Sequence, residues 1–311
     1  MKEARAYLDG CFVPASEAKL PVFDAAVVLG AAVSEMSRTF HHRLFRLGDH
    51  LDRLFDSLNY AGMNIGLSKE ELTALSQQLV EHNSKLLRAN DDLGLIHFVT
   101  AGEVSTYSRM VQRPLRITPT LCMHTFPLPF ALYAKRMQSG IHLIITSIRQ
   151  LPAECVNPMI KCRSRMHYFL AENEARAVDP DASALLLDLG GNITETNAAN
   201  FFIVENGILL TPQEHNVLPG ISRGTVLELA SKAGIPCEEA NIAVDQAINA
   251  DEAFITSTPY CMMAVTKINA KPIGDGKPGP QFRRLLQAWS REVELDIQNQ
   301  IIESWSVERG A

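Results

Sequence analysis

Residues 201–211 read Phe-Phe-Ile-Val, then Glu205-Asn206-Gly207, then Ile-Leu-Leu-Thr. Asn-Gly accepts the positive φ angles of a type I′ turn, so the two apolar runs are predicted to pair as an antiparallel hairpin. Residues 184–189, Ala-Leu-Leu-Leu-Asp-Leu, read as another buried strand, 190–192 as a turn and 141–147 as a strand. Helices are predicted near 164–178, 221–233 and 281–305; the last puts Phe282, Leu285, Leu286, Trp289, Val293, Ile297, Ile301 and Trp305 on one broad stripe.

The first part of the chain has a different texture. Strand-like runs at 5–8, 11–13 and 44–46 are broken by turn residues. Asp49 reads as the N-cap of a helix whose Leu51, Leu54, Phe55 and Leu58 recur at i, i+3, i+4 and i+7 and which ends at Gly62. Ser68-Lys69-Glu70-Glu71 has capping-box spacing and opens a second helix. Strand-rich runs follow at 95–100 and 115–124. Within Phe-Pro-Leu-Pro-Phe at 126–130, two prolines predict an irregular linker. The expected organisation is a smaller N-terminal α/β domain over residues 1–125, a linker over 126–135 and a larger C-terminal domain over 136–311.

With 311 residues, 46% hydrophobic and 21% charged, the chain can bury about three quarters of its unfolded surface, enough for two domains. A net charge of −6, with no Lys/Arg run longer than Arg283-Arg284, argues against nucleic acid or an anionic membrane as partner. No apolar stretch reaches the roughly 18–20 residues of a membrane span, and a cytoplasmic protein is expected. The six cysteines contain no Cys-x-x-Cys pair and the nine histidines are scattered, so no metal site is expected. Small molecules are the expected partners.

Candidate chemistry concentrates in the second part. Lys161 follows Pro158-Met159-Ile160 and precedes a helix, a junction from which a side chain can enter a cleft. It reads as a surface lysine or as a Schiff-base nucleophile. Glu195 alternates onto the face of Ile193, as a solvated strand-edge carboxylate or as the partner of a buried cation such as a protonated pyridine ring. Residues 218–223, Leu-Pro-Gly-Ile-Ser-Arg, start a helix whose amides at Ile221 and Ser222 could receive a phosphate. Thr256 and Thr258 add hydroxyls at a strand end. Arg53 projects about 150° from the leucine stripe of its helix and by itself reads as solvent-facing.

Taken in order and spacing, Arg38-Thr39, His50-Leu51-Asp52-Arg53-Leu54, Lys161 with Glu174-Ala175, Leu187-Asp188 with Ile193-Thr194-Glu195, Asn200-Phe201-Phe202, Thr211-Pro212, Leu218-Pro219-Gly220-Ile221-Ser222-Arg223 and Ala250-Asp251-Glu252-Ala253-Phe254 resemble the class IV, or fold-type IV, aminotransferases. That family includes branched-chain amino-acid aminotransferases, D-amino-acid aminotransferases and aminodeoxychorismate lyase. The resemblance implies a two-domain α/β fold, a homodimer, and pyridoxal 5'-phosphate held between the domains. It implies that Lys161, carried by the C-terminal domain, is the Schiff-base lysine and proton carrier. Glu195 would face the pyridine nitrogen and Arg53 the phosphate, with Thr258 and the amides of Ile221 and Ser222 completing the phosphate cup. The implied reaction is ping-pong transfer of an amino group from a branched-chain-like amino acid to a 2-oxo acid. The alternative is the lyase reaction, which releases pyruvate and 4-aminobenzoate; an idle cofactor-binding homologue is a third.

The substrate side departs from the branched-chain pattern. Ser34 replaces an aromatic residue, Met36 a glycine, Leu95-Ile96-His97 an aromatic-x-Arg pair, and Met166 a tyrosine. Arg38 and His97 are the residues expected to bind a substrate carboxylate.

Overall fold

The computed structural model describes residues 3–88 and 90–309, with side chains as far as Glu303. By its contacts the chain divides into two units, Met1–Leu128 with Ile160–Ser164, and Pro129–Met159 with Arg165–Ala311.

The first unit comprises β1 (Arg5–Leu8), β2 (Cys11–Pro14), α1 (Ala25–Val28), β3 (Ala32–Phe40), β4 (Arg43–Leu44), α2 (Leu47–Tyr60), α3 (Lys69–Ser84), β5 (Leu93–Thr100) and β6 (Thr120–Pro127). Its strands form one sheet in the order β2-β1-β6-β5-β3-β4. Val33, Leu93, Leu95, Val99, Leu121 and Met123 from this sheet pack with Leu51, Leu54 and Leu58 of α2 and Leu72, Leu79 and Val80 of α3 in one apolar core. The predicted capping box is present: Ser68 Oγ accepts from Glu71 N at 3.2 Å, and Glu71 Oε2 from Ser68 N at 2.8 Å. The start of α2 differs from expectation. It opens at Leu47 behind Arg46, which takes φ 49°, and Asp49 lies in the first turn, paired with Arg46. There the carboxylate still meets the positive end of the helix, so the residue type suits either position.

Ile160–Ser164, which the sequence groups with the second part of the chain, joins the first unit instead. Val33 and Cys162 form an antiparallel bridge, Ser34 N donates to Lys161 O at 2.9 Å, and Arg163 N donates to Ala32 O at 2.8 Å. The start of β3 lies beyond its pairing with β4, which involves only Thr39 and Phe40. Its backbone groups on that edge need partners, and this segment provides them.

The second unit comprises α4 (Phe130–Ser139), β7 (Ile141–Arg149), α5 (Met166–Val178), β8 (Ser183–Leu187), β9 (Asn192–Thr196), β10 (Asn200–Glu205), β11 (Ile208–Pro212), α6 (Ile221–Lys232), β12 (Cys237–Ala240), β13 (Ile242–Ala243), α7 (Val244–Ile248), β14 (Glu252–Ser257), β15 (Cys261–Ile268), β16 (Lys271–Pro272), α8 (Pro280–Glu292) and α9 (Ile297–Arg309). The strand path runs β12-β11-β10-β14-β15-β7-β8-β9-β13, with β16 beside β15. Asn200 of β10 also pairs with Glu195 of β9, so the path from β10 through β15 to β9 closes on itself. Closure removes unpaired edges from the ring. The predicted hairpin joins β10 to β11, with φ 51° at Asn206 and 78° at Gly207.

Two expectations fail locally. Residues 130–139 are helical where the prolines predict an irregular linker: Pro127 ends β6 and Pro129 stands at the N-cap of α4, and a proline ahead of a helix breaks no helical hydrogen bond. The long C-terminal helix is two helices. Glu294 takes φ 53°, and Asp296 restarts the chain as α9 by accepting from Asn299 N at 2.9 Å. The apolar stripe continues across the break, because Phe282, Leu285, Leu286, Trp289, Ile297 and Ile301 are all buried, while Trp305 lies outside the described side chains.

Candidate functional site

In the first unit, strand alternation puts Glu35 on the face of Val33 that packs on α2. Glu35 Oε2 accepts from Arg53 Nε at 2.8 Å and Oε1 from Arg53 Nη2 at 2.6 Å, with His50 Nδ1 2.9 Å from the same Oε1. All three side chains are buried. Burial alone would raise the Glu35 carboxyl; the charge of Arg53, followed by the bond to His50, outweighs it and holds the group well below the usual carboxylate range. Burial pushes the His50 imidazole down. Ser57 Oγ donates to Arg53 O at 3.0 Å and accepts from Lys161 N at 3.3 Å. Hydrogen bonds thus lead from Glu35 through Arg53 and Ser57 to the backbone of Lys161.

Arg53 is therefore not the solvent-facing side chain that its angle on the helix suggests. His50, Arg53 and Ser57 recur at i, i+3 and i+7, a polar stripe beside the leucines, and Glu35 shares its strand face with Val33, Ser37 and Thr39. Those were the available signals for this cluster.

The two expected substrate-binding residues are placed otherwise. His97 is in phase with Leu95 and Val99 on β5, so it faces the core, fully buried, with Nε2 2.8 Å from Ser76 Oγ of α3. Ser76 gives its one proton to Leu72 O at 2.6 Å, so His97 Nε2 is the donor and Nδ1 is left a buried acceptor with no partner. Burial drives its pKa down to about 4. Arg38 is also buried, its guanidinium 3.9 Å from the centre of the Phe40 ring, Nε donating to Thr39 O at 3.0 Å and Nη2 3.7 Å from Asp92. These contacts tie it to the end of β3.

In the second unit, Glu195 stands where the strand path closes. Glu195, Asn200 and Thr256 lie opposite one another across β9, β10 and β14 and so share one face. Glu195 Oε1 accepts from Tyr168 Oη at 2.6 Å and Gln150 Nε2 at 3.1 Å; Oε2 accepts from Leu218 N at 3.2 Å and Asn200 Nδ2 at 3.3 Å. All four are donors, as an acceptor-only carboxylate requires. Asn200 Nδ2 also donates to Leu218 O at 2.8 Å, pinning the loop ahead of α6. A Cβ on Gly220 would come within 2.0 Å of Asn200 Oδ1, so a side chain there would have to displace the Asn200 amide from its place beside Glu195. The helix then opens at Ile221 with no side-chain cap, and its first amides have no partner within the helix. Ser222 is buried in that turn, Thr256 Oγ1 is a buried hydroxyl with no partner, and Thr258 is half-buried. A buried carboxylate, uncapped amides behind a closely packed glycine and an orphaned hydroxyl fit a ligand with a cationic ring nitrogen and a phosphate, which is what pyridoxal phosphate offers. Tyr168 and Gln150 were not singled out by sequence reasoning, and Asn200 entered only within a family motif, since each finds Glu195 only through the fold. Among the described residues, no group of three or more His, Cys, Asp or Glu side chains is placed to hold a metal ion, and no helix is long and apolar enough to cross a membrane.

Comparison with known proteins bears on this arrangement. The amino-transferase class IV family model matches residues 32–268. A putative branched-chain-amino-acid aminotransferase of Methanocaldococcus jannaschii is 32% identical over 280 residues, 90% of this chain and 93% of that protein. A D-alanine aminotransferase of Staphylococcus aureus is 28% identical over 93% of this chain and 97% of its own length. The solved structure of an Escherichia coli branched-chain amino acid aminotransferase superposes with a TM-score of 0.84 at 25% identity, covering 93% of this chain and 94% of that one. These matches favour amino-group transfer over the lyase alternative.

Proposed function

The chain belongs to the class IV aminotransferases, pyridoxal-phosphate enzymes of fold-type IV architecture, and from that premise we propose the role of each residue in its two clusters. Pyridoxal phosphate, when bound, draws electrons from the substrate α-carbon and carries the amino group between the two half-reactions. Lys161 would be the covalent anchor of that group, and its Nζ would hold the proton that leaves the α-carbon. Its backbone, bonded to Ser34 and Ser57, gives that side chain a fixed root. Glu195 holds the proton on the ring nitrogen. The amides of Ile221 and Ser222, the hydroxyl of Thr258 and the guanidinium of Arg53 take the phosphate. Arg53 is oriented for this by Glu35 and His50.

The substrates are an amino acid of the branched-chain kind and a 2-oxo acid, as the names of the relatives suggest. A homodimer is part of the proposal, supported by the family resemblance, and so is a cytoplasmic location, supported by six free cysteine thiols. The observation that carries the reading is the buried carboxylate of Glu195, met by donors at the strand closure where the family motif places it. Borohydride reduction of the cofactor-loaded protein followed by peptide mapping should place the pyridoxyl label on Lys161; a label on Lys135 or Lys267 would overturn the assignment. Single L- and D-amino acids tested in half-reactions, with aminodeoxychorismate as the lyase control, identify the donor.

A further inference from the structure

We propose that Tyr168, backed by Gln150, is a positioning residue that holds Glu195 as an ionised, fixed acceptor and so keeps the proton on the cofactor's ring nitrogen, an inference that rests on the role given to Glu195 above. Tyr168 lies in the first turn of α5, and Gln150 follows the last residue of β7. Tyr168 Oη is 2.6 Å from Glu195 Oε1; Gln150 Nε2 is 2.9 Å from Tyr168 Oη and 3.1 Å from the same Oε1. The direction of each proton follows from chemistry. A carboxylate only accepts, so the phenol donates to it; the phenol oxygen then accepts from the amide, whose nitrogen must face both groups. That orientation leaves Gln150 Oε1 buried with no partner. An unpaired buried carbonyl is unfavourable, and here it coincides with the placing of two donors on one carboxylate oxygen.

The three side chains are 8%, 7% and 6% exposed, so water competes little for these bonds. Tyr168 is itself held on several sides: its ring packs with Ile144, Ala171 and Ala175, the Arg165 guanidinium lies 4.4 Å from its centre, and the His167 ring lies 4.0 Å away. Burial, then the charge of Glu195, keep the phenol well above its ordinary pKa, and it stays a donor across the working range. Donors on a carboxylate weaken it as a base. With Oε1 held by Tyr168 and Gln150, and Oε2 by Leu218 N and Asn200, a proton shared with a ring nitrogen remains on the nitrogen. Removing the phenol strengthens Glu195 as a base and draws that proton toward it.

The test uses the full chain loaded with pyridoxal phosphate carrying ¹⁵N in the ring, and compares the nitrogen resonance in the native protein, Tyr168→Phe, Gln150→Leu and Glu195→Gln. The expected result is a shift toward the unprotonated position, largest in Glu195→Gln, intermediate in Tyr168→Phe and smallest in Gln150→Leu. In Tyr168→Phe, kcat should fall by about tenfold while KM for the amino acid stays within about twofold, because the ring nitrogen acts on the chemical step and not on substrate capture. If Glu195→Gln moves the resonance while Tyr168→Phe and Gln150→Leu leave it in place, the proposal is wrong and the role of Glu195 stands. If none of the three moves it, the role of Glu195 falls and the proposal with it. Should Tyr168→Phe fail to fold, Gln150→Leu decides by the same signal.

Discussion

Replacing His97 with leucine should remove an acid-induced weakening of the first unit. The imidazole is fully buried between the sheet and α3, donates from Nε2 to Ser76, and has no partner for Nδ1. Protonation would place a charge and an unmatched N–H in an apolar core, which is why its pKa falls from 6.5 to about 4. For a base whose folded pKa is depressed, the unfolded chain takes up the proton first as pH falls. Its stabilising effect is complete above about pH 6.5, declines between there and about pH 4, and is lost below. At about 1.36 kcal/mol per pH unit the full loss is about 3 kcal/mol, of which about 2 kcal/mol is already lost at pH 5. Leucine joins Leu95 and Val99 without a titrating group, while Ser76 keeps its bond to Leu72 O and loses only its donor, a penalty of about 1 kcal/mol that does not vary with pH. Urea unfolding followed by amide exchange in β5, at pH 7 and pH 5, should show a drop about 2 kcal/mol smaller in His97→Leu than in the native chain. Equal drops in both, or a His97 ring signal titrating near pH 6.5, would refute the reasoning.

Glu35→Gln leaves the buried Arg53 without its bidentate counter-charge and should destabilise the chain by about 3–5 kcal/mol at pH 7; an unchanged urea midpoint contradicts this. Because the folded-state carboxyl lies well below 4.5, the stability contributed by Glu35 is complete above that pH and lost as pH falls through the folded value, and the variant should lack that acid limb. Gly220→Ala drives a Cβ against Asn200 Oδ1, which displaces the loop ahead of α6. Its dissociation constant for pyridoxal phosphate, measured by fluorescence, should rise by about tenfold or more, and native-like affinity would show that the loop has no part in the phosphate site.

Elements whose reason is local were legible in the sequence. The Asn206-Gly207 hairpin, the Ser68 capping box and the helices α5 and α6 depend on residues a few positions apart, and their periodicity and turn chemistry are written in the order of the residues. The ordered motifs from Arg38 to Phe254 were enough to point to the family that comparison then established. Periodicity also says which positions face inward, but not what a polar residue meets there. Arg53 and Glu35 are 18 positions apart, Glu195 and Gln150 are 45, and Lys161 and Ser57 are 104, so only the folded chain brings each pair within reach. The same reason governs His97. Its alternation with Leu95 and Val99 was visible, yet whether that face would line a pocket or the core depended on α3 crossing it, a decision made by packing between elements distant in sequence.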